Sequence, residues 1–337
     1  MTRDPNSDSG RRRSKPIKDP ERDGDLGVRE PEVGEVAGRI AAVFADRCRV
    51  WSEGKEVICS RRGRFKGRVK PVVGDHVRIA PNLDGSGTIT EILPRKRELV
   101  RRQADRKRLN RPARPQVLAA NVDLLVAVAS IQRPPLRPGL LDRVLVAAAI
   151  TEIPVLICVT KLDLDSEDAF NDVRETYRAA GYEVIGTDIN RPETLAPLEE
   201  ALQGLTAVLA GHSGVGKTSL LNALAGRDMA TAEVGFHKDR GRHTTSTSRL
   251  IPLAGTGRGD TFAIDSPGIR EFAPHGIAPD QLAPLYPDFQ PHLTGCRFDD
   301  CLHRGEPGCA LADAVAAGHV AQARYDGYLK LLEELAE

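Results

Sequence analysis

No stretch of this sequence is long and apolar enough to cross a membrane. The longest apolar run extends from Leu140 to Val159, and one proline and three charged residues interrupt it. A spanning helix needs about 20 consecutive, predominantly apolar residues. The N-terminal segment carries charges with no apolar core behind them, so we expect no signal peptide. We expect neither a membrane protein nor a secreted one.

The sequence also lacks the cysteine pattern of a disulfide-stabilised protein. Of its six cysteines, Cys48, Cys59 and Cys158 are scattered through apolar segments, and the other three cluster near the C-terminus. Scattered single cysteines are typical of proteins in a reducing compartment. We therefore expect a cytoplasmic protein.

There is little net charge, only +1 over 337 residues, but the charges are unevenly distributed. Residues 1–33 are rich in Arg, Asp, Pro, Ser and Gly and almost free of apolar residues, so this tail is predicted to be disordered. The chain as a whole is 40% hydrophobic, which is enough for two or three domains with real cores.

Residues 34–105 show the pattern of a small β-barrel. Short β-type runs are separated by glycine-containing turns. Five such runs in so short a segment predict a closed barrel of the OB-fold type. The runs are Glu35–Val43, Arg47–Trp51, Glu56–Ser60, His76–Ala80 and Thr88–Ile92.

Two basic clusters accompany the predicted barrel. The first surrounds Phe65 in one loop, and the second follows the last predicted strand. Such clusters are typical of a surface that binds a phosphate backbone, so we predict an RNA-binding domain. A solvated basic face beside a linker is the alternative. The first cluster contains Arg61, Arg62, Arg64, Lys66, Arg68 and Lys70. The second contains Arg95, Lys96, Arg97, Arg101, Arg102, Arg106, Lys107, Arg108, Arg111 and Arg114.

Residues 115–285 alternate apolar strand-like runs with helical segments. This alternation predicts a parallel, doubly wound α/β sheet. The predicted strands are Val122–Ala129, Val155–Val159, Glu183–Ile185, Leu205–Leu209, Arg249–Leu253 and Thr261–Ile264. One of the intervening helices is expected to begin at an N-cap provided by Ser166.

The strand Leu205–Leu209 leads into a glycine-rich loop that fits the P-loop pattern. Glycines allow backbone N–H groups to surround phosphate oxygens, and the following helix N-terminus favours anions. We expect Lys217 to reach the β- and γ-phosphates and to contribute to catalysis, and Thr218 to bind Mg²⁺. An ordinary glycine-rich turn is the alternative. The predicted phosphate-binding residues are Gly211, His212, Ser213, Gly214, Val215, Gly216, Lys217, Thr218 and Ser219.

Two further motifs follow strand ends. Asp265 begins the run Asp-Ser-Pro-Gly, in which the carboxylate can hold Mg²⁺ and the N–H of Gly268 can bind the γ-phosphate. Thr160, Lys161 and Asp163 come after the strand Val155–Val159 and resemble the guanine-reading motif Asn-Lys-x-Asp, with threonine in place of asparagine. A carboxylate at Asp163 would accept hydrogen bonds from the guanine N1–H and exocyclic amine.

The order of these motifs departs from that of an ordinary GTPase, where the P-loop comes first and the base-reading motif comes last. Here Asp163 precedes Lys217, and Asp265 follows both. A circular permutation of the same sheet explains this order.

Residues 286–337 contain a compact set of metal-binding side chains. Cys296, Cys301, His303 and Cys309 provide three thiols and one imidazole. Four soft ligands without a spare position suit one structural, tetrahedral Zn²⁺. Unpaired buried cysteines are the alternative. Helical sequence with an apolar seam follows and is expected to pack as core; the seam residues are Tyr325, Tyr328, Leu329, Leu332 and Leu335.

Together these motifs resemble the circularly permuted, small-subunit-dependent ribosomal GTPases, the RsgA or YjeQ family. The resemblance covers the chain from about Gly34 to the C-terminus and includes Gly241-Arg-His-Thr-Thr245. It implies an OB-fold, a permuted GTPase domain and a zinc module. It also implies a GTP hydrolase that acts late in maturation of the small (30S) ribosomal subunit, with GTP hydrolysis stimulated by the subunit and coupled to release.

The resemblance also implies roles in the first switch. Thr244, or alternatively Thr245, would meet Mg²⁺ in the GTP state, and His243 would orient the attacking water. Ile269 occupies the position where a Ras-like enzyme has glutamine, so we expect slow hydrolysis without a partner. The expected partners are GTP or GDP and the rRNA and proteins of the small subunit, with the chain itself a monomer and no membrane involved. The alternatives are a P-loop ATPase or kinase, and an RNA-binding scaffold with a vestigial nucleotide site.

Overall fold

The first five strands close into a barrel, which confirms the OB-like prediction. The computed structural model describes residues 32, 34–61, 70–102, 115–165, 168–226, 248–253, 260–265 and 277–336. The strand order is β1-β2-β3-β5-β4, and β1 pairs with β4 to complete the barrel. Alternate side chains fill the interior, including the fully buried Ile40, Val50 and Val77. The strands are β1 (Val36–Val43), β2 (Arg47–Ser52), β3 (Lys55–Arg61), β4 (His76–Pro81) and β5 (Gly87–Ile92).

A two-stranded antiparallel ribbon that the sequence did not predict follows the barrel. It consists of β6 (Glu98–Arg102) and β7 (Pro115–Ala120). Arg95, just before β6, lies 2.7 Å from the fully buried carboxylate of Asp75. Arg95 was predicted to belong to the basic surface, but the structure uses it as an internal ion-pair partner.

The central sheet has six strands in the order β10-β9-β8-β11-β13-β12. All neighbouring pairs are parallel except β13 and β12. The expectation of an entirely parallel sheet is therefore wrong at β12, because residues 253–261 are too few for the crossover that parallel strands need. The strands are β8 (Leu124–Ser130), β9 (Val155–Thr160), β10 (Glu183–Gly186), β11 (Thr206–Ala210), β12 (Arg249–Pro252) and β13 (Phe262–Asp265).

Among the described residues, four helices accompany this sheet, and apolar cores lie against it. They are α1 (Pro138–Ile150), α2 (Ala169–Ala179), α3 (Ala196–Leu202) and α4 (Lys217–Ala225). Helix α2 begins later than predicted. The Asp165 carboxylate accepts the backbone N–H groups of Ala169 and Phe170 at 3.0 and 3.1 Å, whereas Ser166, the predicted N-cap, lies outside the described residues.

The C-terminal part packs around aromatic rings. Tyr286 stacks on Phe289 with centroids 4.6 Å apart, and Tyr328 meets both rings edge-on. The predicted apolar seam lies in this core, since Tyr328 and Leu332 are buried. The helices are α5 (Ala310–Ala316) and α6 (Gln322–Ala336), preceded by short 3₁₀ segments. Among the described residues, no helix combines the length and apolar character needed to cross a bilayer.

The barrel contacts the edge of the sheet where β11 and β13 begin. Trp51 meets the ring of Phe262 edge-on at 6.2 Å, and the Arg39 guanidinium lies 5.0 Å from the same ring. Arg39 also donates a hydrogen bond to the Thr206 hydroxyl. The motif residues follow the opposite, carboxyl ends of these strands, so the described contacts place the barrel away from them.

Candidate nucleotide-binding site and metal centre

The glycine-rich loop joins the carboxyl end of β11 to the first turn of α4. A Cβ atom on Gly211 would lie 2.1 Å from the Val128 carbonyl oxygen, so only glycine allows the ends of β8 and β11 to approach this closely. Gly216 precedes α4 with φ of 93°, a left-handed conformation that other residues rarely adopt. The strand, loop and helix predicted from the sequence are therefore present.

Lys217 lies at the start of α4 and bends back over the loop. Its Nζ donates to the carbonyl oxygens of Gly211 and His212, both at 2.6 Å. Thr218 and Ser219 are exposed in the first turn of the same helix. A helix N-terminus with an ammonium and hydroxyl groups beside it favours a polyphosphate anion.

The predicted base-reading motif lies directly against this loop. Thr160 ends β9, and its hydroxyl donates to the Val215 carbonyl at 2.6 Å. Lys161 Nζ donates to the Gly214 carbonyl at 2.7 Å and to that of Arg133. The structure thus brings together two motifs that lie 55 residues apart in the chain.

Asp163 is exposed in a short 3₁₀ turn, Leu162–Leu164, beside the loop that follows β10. In that neighbouring loop, the buried Asp188 carboxylate accepts from Arg191 Nε at 2.8 Å and from the Asn190 N–H at 2.9 Å. Asp188 is therefore used to shape the loop, whereas the Asp163 carboxylate faces solvent at the site.

Asp265 is the last residue of β13, the parallel neighbour of β11. Its carboxylate and the Thr218 hydroxyl follow adjacent strands at the same edge of the sheet. Both offer oxygen atoms, the ligand type that Mg²⁺ prefers. The predicted switch residues His243, Thr244, Gly268 and Ile269 lie outside the described residues.

The four predicted metal ligands form one cluster. Their ligand atoms all lie within 4.8 Å of one another. His303 Nδ1 lies 3.4, 3.6 and 3.6 Å from the Sγ atoms of Cys296, Cys301 and Cys309. A nitrogen at about 2.1 Å and a sulfur at about 2.3 Å from a tetrahedral zinc ion would be roughly 3.6 Å apart. The donor set and its spacing therefore fit a closed, structural site.

Neighbouring side chains hold the backbone of this cluster. The Glu306 carboxylate accepts the N–H groups of Leu302 and Arg304 at 3.1 and 2.6 Å. From α6, the hydroxyl groups of Tyr325 and Tyr328 donate to the carbonyls of His303 and Leu302 at 2.8 and 2.6 Å. Burial raises the pKa of Cys301 to about 12, so a bound cation would be needed to stabilise its thiolate.

Family models match most of the chain. A model of the RsgA GTPase matches residues 92–274, and a model of the RsgA N-terminal domain matches residues 37–89. The chain belongs to the RsgA GTPase family. Membership makes it a GTPase, and it explains why a β-barrel precedes the nucleotide-binding sheet.

Individual RsgA relatives agree with this assignment. A protein of Gemmatimonas aurantiaca named small ribosomal subunit biogenesis GTPase RsgA is 40% identical over 290 residues, covering 84% of this chain and 92% of its own. A protein of the same name from Chlorobaculum tepidum is 38% identical, covering 79% and 85%.

Solved structures of the family show the same architecture. The structure of YloQ, described as a circularly permuted GTPase, matches with a TM-score of 0.67 and 30% identity, covering 90% of this chain and 95% of that one. YjeQ from Thermotoga maritima matches with a TM-score of 0.68 and 29% identity, covering 90% and 99%. The predicted permutation is confirmed, since β9 with the base-reading motif precedes β11 with the glycine-rich loop.

A buried ionic cluster that the sequence did not predict joins α6 to α1 of the RsgA GTPase domain. The Arg324 side chain is only 1% exposed; it pairs with Asp142 of α1 and, at 2.7 Å, with Asp288. Its guanidinium lies 4.7 Å from the ring centre of Tyr286. Arg324 and Asp142 are 182 residues apart, so no local pattern could have indicated this contact.

Proposed function

We propose that this chain hydrolyses GTP during late maturation of the small ribosomal subunit, that the subunit stimulates hydrolysis, and that hydrolysis releases the protein. The main supporting observation is that Thr160 and Lys161, of the predicted base-reading motif, donate hydrogen bonds to carbonyls of the predicted phosphate-binding loop. The names of the relatives support the choice of the small subunit.

In the proposed site, the loop from Gly211 to Ser219 surrounds the phosphates. Lys217 exchanges its two carbonyl partners for β- and γ-phosphate oxygens, which are stronger acceptors because they are charged. Thr218 and Asp265 provide Mg²⁺ with oxygen ligands, and Asp163 selects guanine. Mg²⁺ would neutralise charge on the phosphates as the terminal bond breaks.

Hydrolysis also needs an oriented water molecule. We assign this role to His243, with Thr244 as a second Mg²⁺ contact and the Gly268 N–H as a γ-phosphate contact. The supporting argument is that the side chain of Ile269 has no polar atom, so another residue must orient the water. A subunit-bound form that fixes His243 would then explain stimulation by the ribosome.

The C-terminal cluster is proposed to hold one structural Zn²⁺ through Cys296, Cys301, His303 and Cys309. The support is the spacing of His303 Nδ1 from the three sulfur atoms, between 3.4 and 3.6 Å. When bound, the ion would add folding energy to that of the aromatic core against which the cluster packs.

The barrel is proposed to bind rRNA. Phe44 is 39% exposed, and the Arg49 guanidinium lies 5.5 Å from its ring centre. An exposed aromatic ring next to cations is a surface on which bases stack. We retain a monomer as the acting form, working in the cytoplasm where the subunit matures.

Release can be tested by sedimentation with purified small subunits. With a non-hydrolysable GTP analogue the protein should sediment with the subunit, and with GDP it should remain in the supernatant. A Lys217→Ala variant, which cannot hold the phosphates, should bind equally weakly with either nucleotide. Equal cosedimentation of the parent with both nucleotides would contradict the coupling.

A further inference from the structure

We propose that Thr160 braces the base-reading loop against the glycine-rich loop and does not read the base, so that guanine nucleotides bind without a hydrogen bond to purine N7. The inference rests on the guanine site proposed above. It concerns the one residue at which the base-reading motif of this chain departs from Asn-Lys-x-Asp.

The first argument counts hydrogen-bond donors. A threonine hydroxyl has a single hydrogen to donate. Thr160 Oγ1 lies 2.6 Å from the Val215 carbonyl oxygen and 3.2 Å from that of Ala129. Both partners only accept hydrogen bonds, so the hydrogen is committed to the protein.

The second argument is burial. Thr160 is only 3% exposed, at the end of β9 in register with Ser130 of β8. A Cβ atom on Gly216 would lie 3.5 Å from its hydroxyl oxygen, which shows how closely the loop packs on it. Turning the hydroxyl towards a ligand would leave the buried Val215 carbonyl without this partner, at a cost larger than a typical net hydrogen bond.

The third argument compares side chains. The amide of asparagine has two donor hydrogens and an acceptor oxygen, so it can bond the protein and still donate to the base. Purine N7 is an acceptor and needs such a donor. Lys161 donates two of its three ammonium hydrogens to the carbonyls of Arg133 and Gly214, so it links the same two loops and is not assigned to N7.

Guanine is then recognised through Asp163, whose carboxylate accepts from N1–H and the exocyclic amine. Thr160 contributes indirectly, because its bond to Val215 fixes the base-reading loop relative to the phosphate-binding loop. It is a positioning residue. Removing its hydroxyl should weaken every guanine nucleotide equally, whichever atom occupies position 7 of the ring.

The test compares GTP with 7-deaza-GTP, in which N7 is replaced by C–H and the Watson–Crick edge is unchanged. Dissociation constants are measured by calorimetry with Mg²⁺ for the full chain and for the variants Thr160→Val and Thr160→Ser. One neutral hydrogen bond corresponds to about a 2- to 12-fold change in affinity. We expect the two nucleotides to bind the parent within about twofold of each other.

Thr160→Val keeps the side-chain shape and should weaken both nucleotides by the same factor, at least about threefold, whereas Thr160→Ser should retain parental affinity. If the parent protein bound 7-deaza-GTP more than about twofold less tightly than GTP, the claim that N7 receives no hydrogen bond would be refuted. If Thr160→Val bound GTP with the parental affinity, the claim that the Thr160 hydroxyl positions the two loops would be refuted. Absence of GTP binding by the parent would instead refute the guanine site itself.

Discussion

Replacing Arg324 by alanine should weaken the attachment of α6 to α1 more than a surface substitution between the same two helices. The Arg324 side chain is 1% exposed and lies between Asp142, which is fully buried, and Asp288. Removing it leaves two buried carboxylates without the cation that pairs with both. Loss of one partner of a buried ion pair typically costs about 3–5 kcal/mol.

The magnitude can be checked against the structure. Burial raises the pKa of Asp142 to about 6 in spite of the Arg324 charge, so protonating this carboxylate at pH 7 costs only about 1 kcal/mol. Loss of the guanidinium over the Tyr286 ring adds about 1–2 kcal/mol. Loss of the Asp288 hydrogen bonds brings the total to about 3–5 kcal/mol. Because Asp142 can neutralise at low pH, the cost should be smaller at pH 5.5 than at pH 7.5.

Hydrogen exchange of the α6 amides measures this cost without assuming that the whole chain unfolds in one step. Arg143→Ala is the matched control, since Arg143 joins the same two helices through Glu334 but both side chains are partly exposed. That pair should contribute no more than about 1 kcal/mol. Equal effects of the two substitutions would refute the reasoning.

Three further predictions address other parts of the chain. Asp163→Asn should lower affinity for GTP and raise it for xanthosine triphosphate, and an unchanged preference in competition binding would remove Asp163 from base selection. Chelation of the metal should abolish exchange protection in α5 and α6 while the fluorescence of Trp51, the single tryptophan, stays unchanged; full protection in the chelated protein would exclude a structural metal. Burial, with Arg39 and Lys96 nearby, lowers the pKa of His76, so unfolding takes up a proton and stability should fall as pH falls through about 6.5. His76→Gln should flatten that dependence in urea titrations, and an identical slope in the variant would contradict the assignment.

Sequence patterns predicted the elements whose signals are local. The barrel strands alternate in hydrophobicity, and the glycine-rich loop has a fixed spacing, so each could be recognised within a few residues. The ribbon β6–β7 was missed because its pairing is long-range, with Glu98 opposite Ala120, and because its basic residues resembled a solvated linker. Arg95 illustrates the same difficulty, since only the fold shows that it pairs with Asp75.

For the candidate sites too, local patterns predicted some features and only the fold shows the others. Motif spacing predicted which residues belong to the nucleotide site and to the metal cluster, but not what each side chain bonds. The sequence placed Thr160 in the predicted base-reading motif, and the structure shows that its hydroxyl donates to the Val215 carbonyl. Glu306, which caps the metal loop, has no signature other than its negative charge.

The central claim, a guanine nucleotide site controlled by the small ribosomal subunit, is tested most directly by GTP turnover. Phosphate release is measured with purified small subunits, with large subunits and with neither, at several salt concentrations. We predict slow turnover alone, marked stimulation by small subunits only, and loss of that stimulation as salt screens the basic contacts. Equal rates under the three conditions would contradict the account.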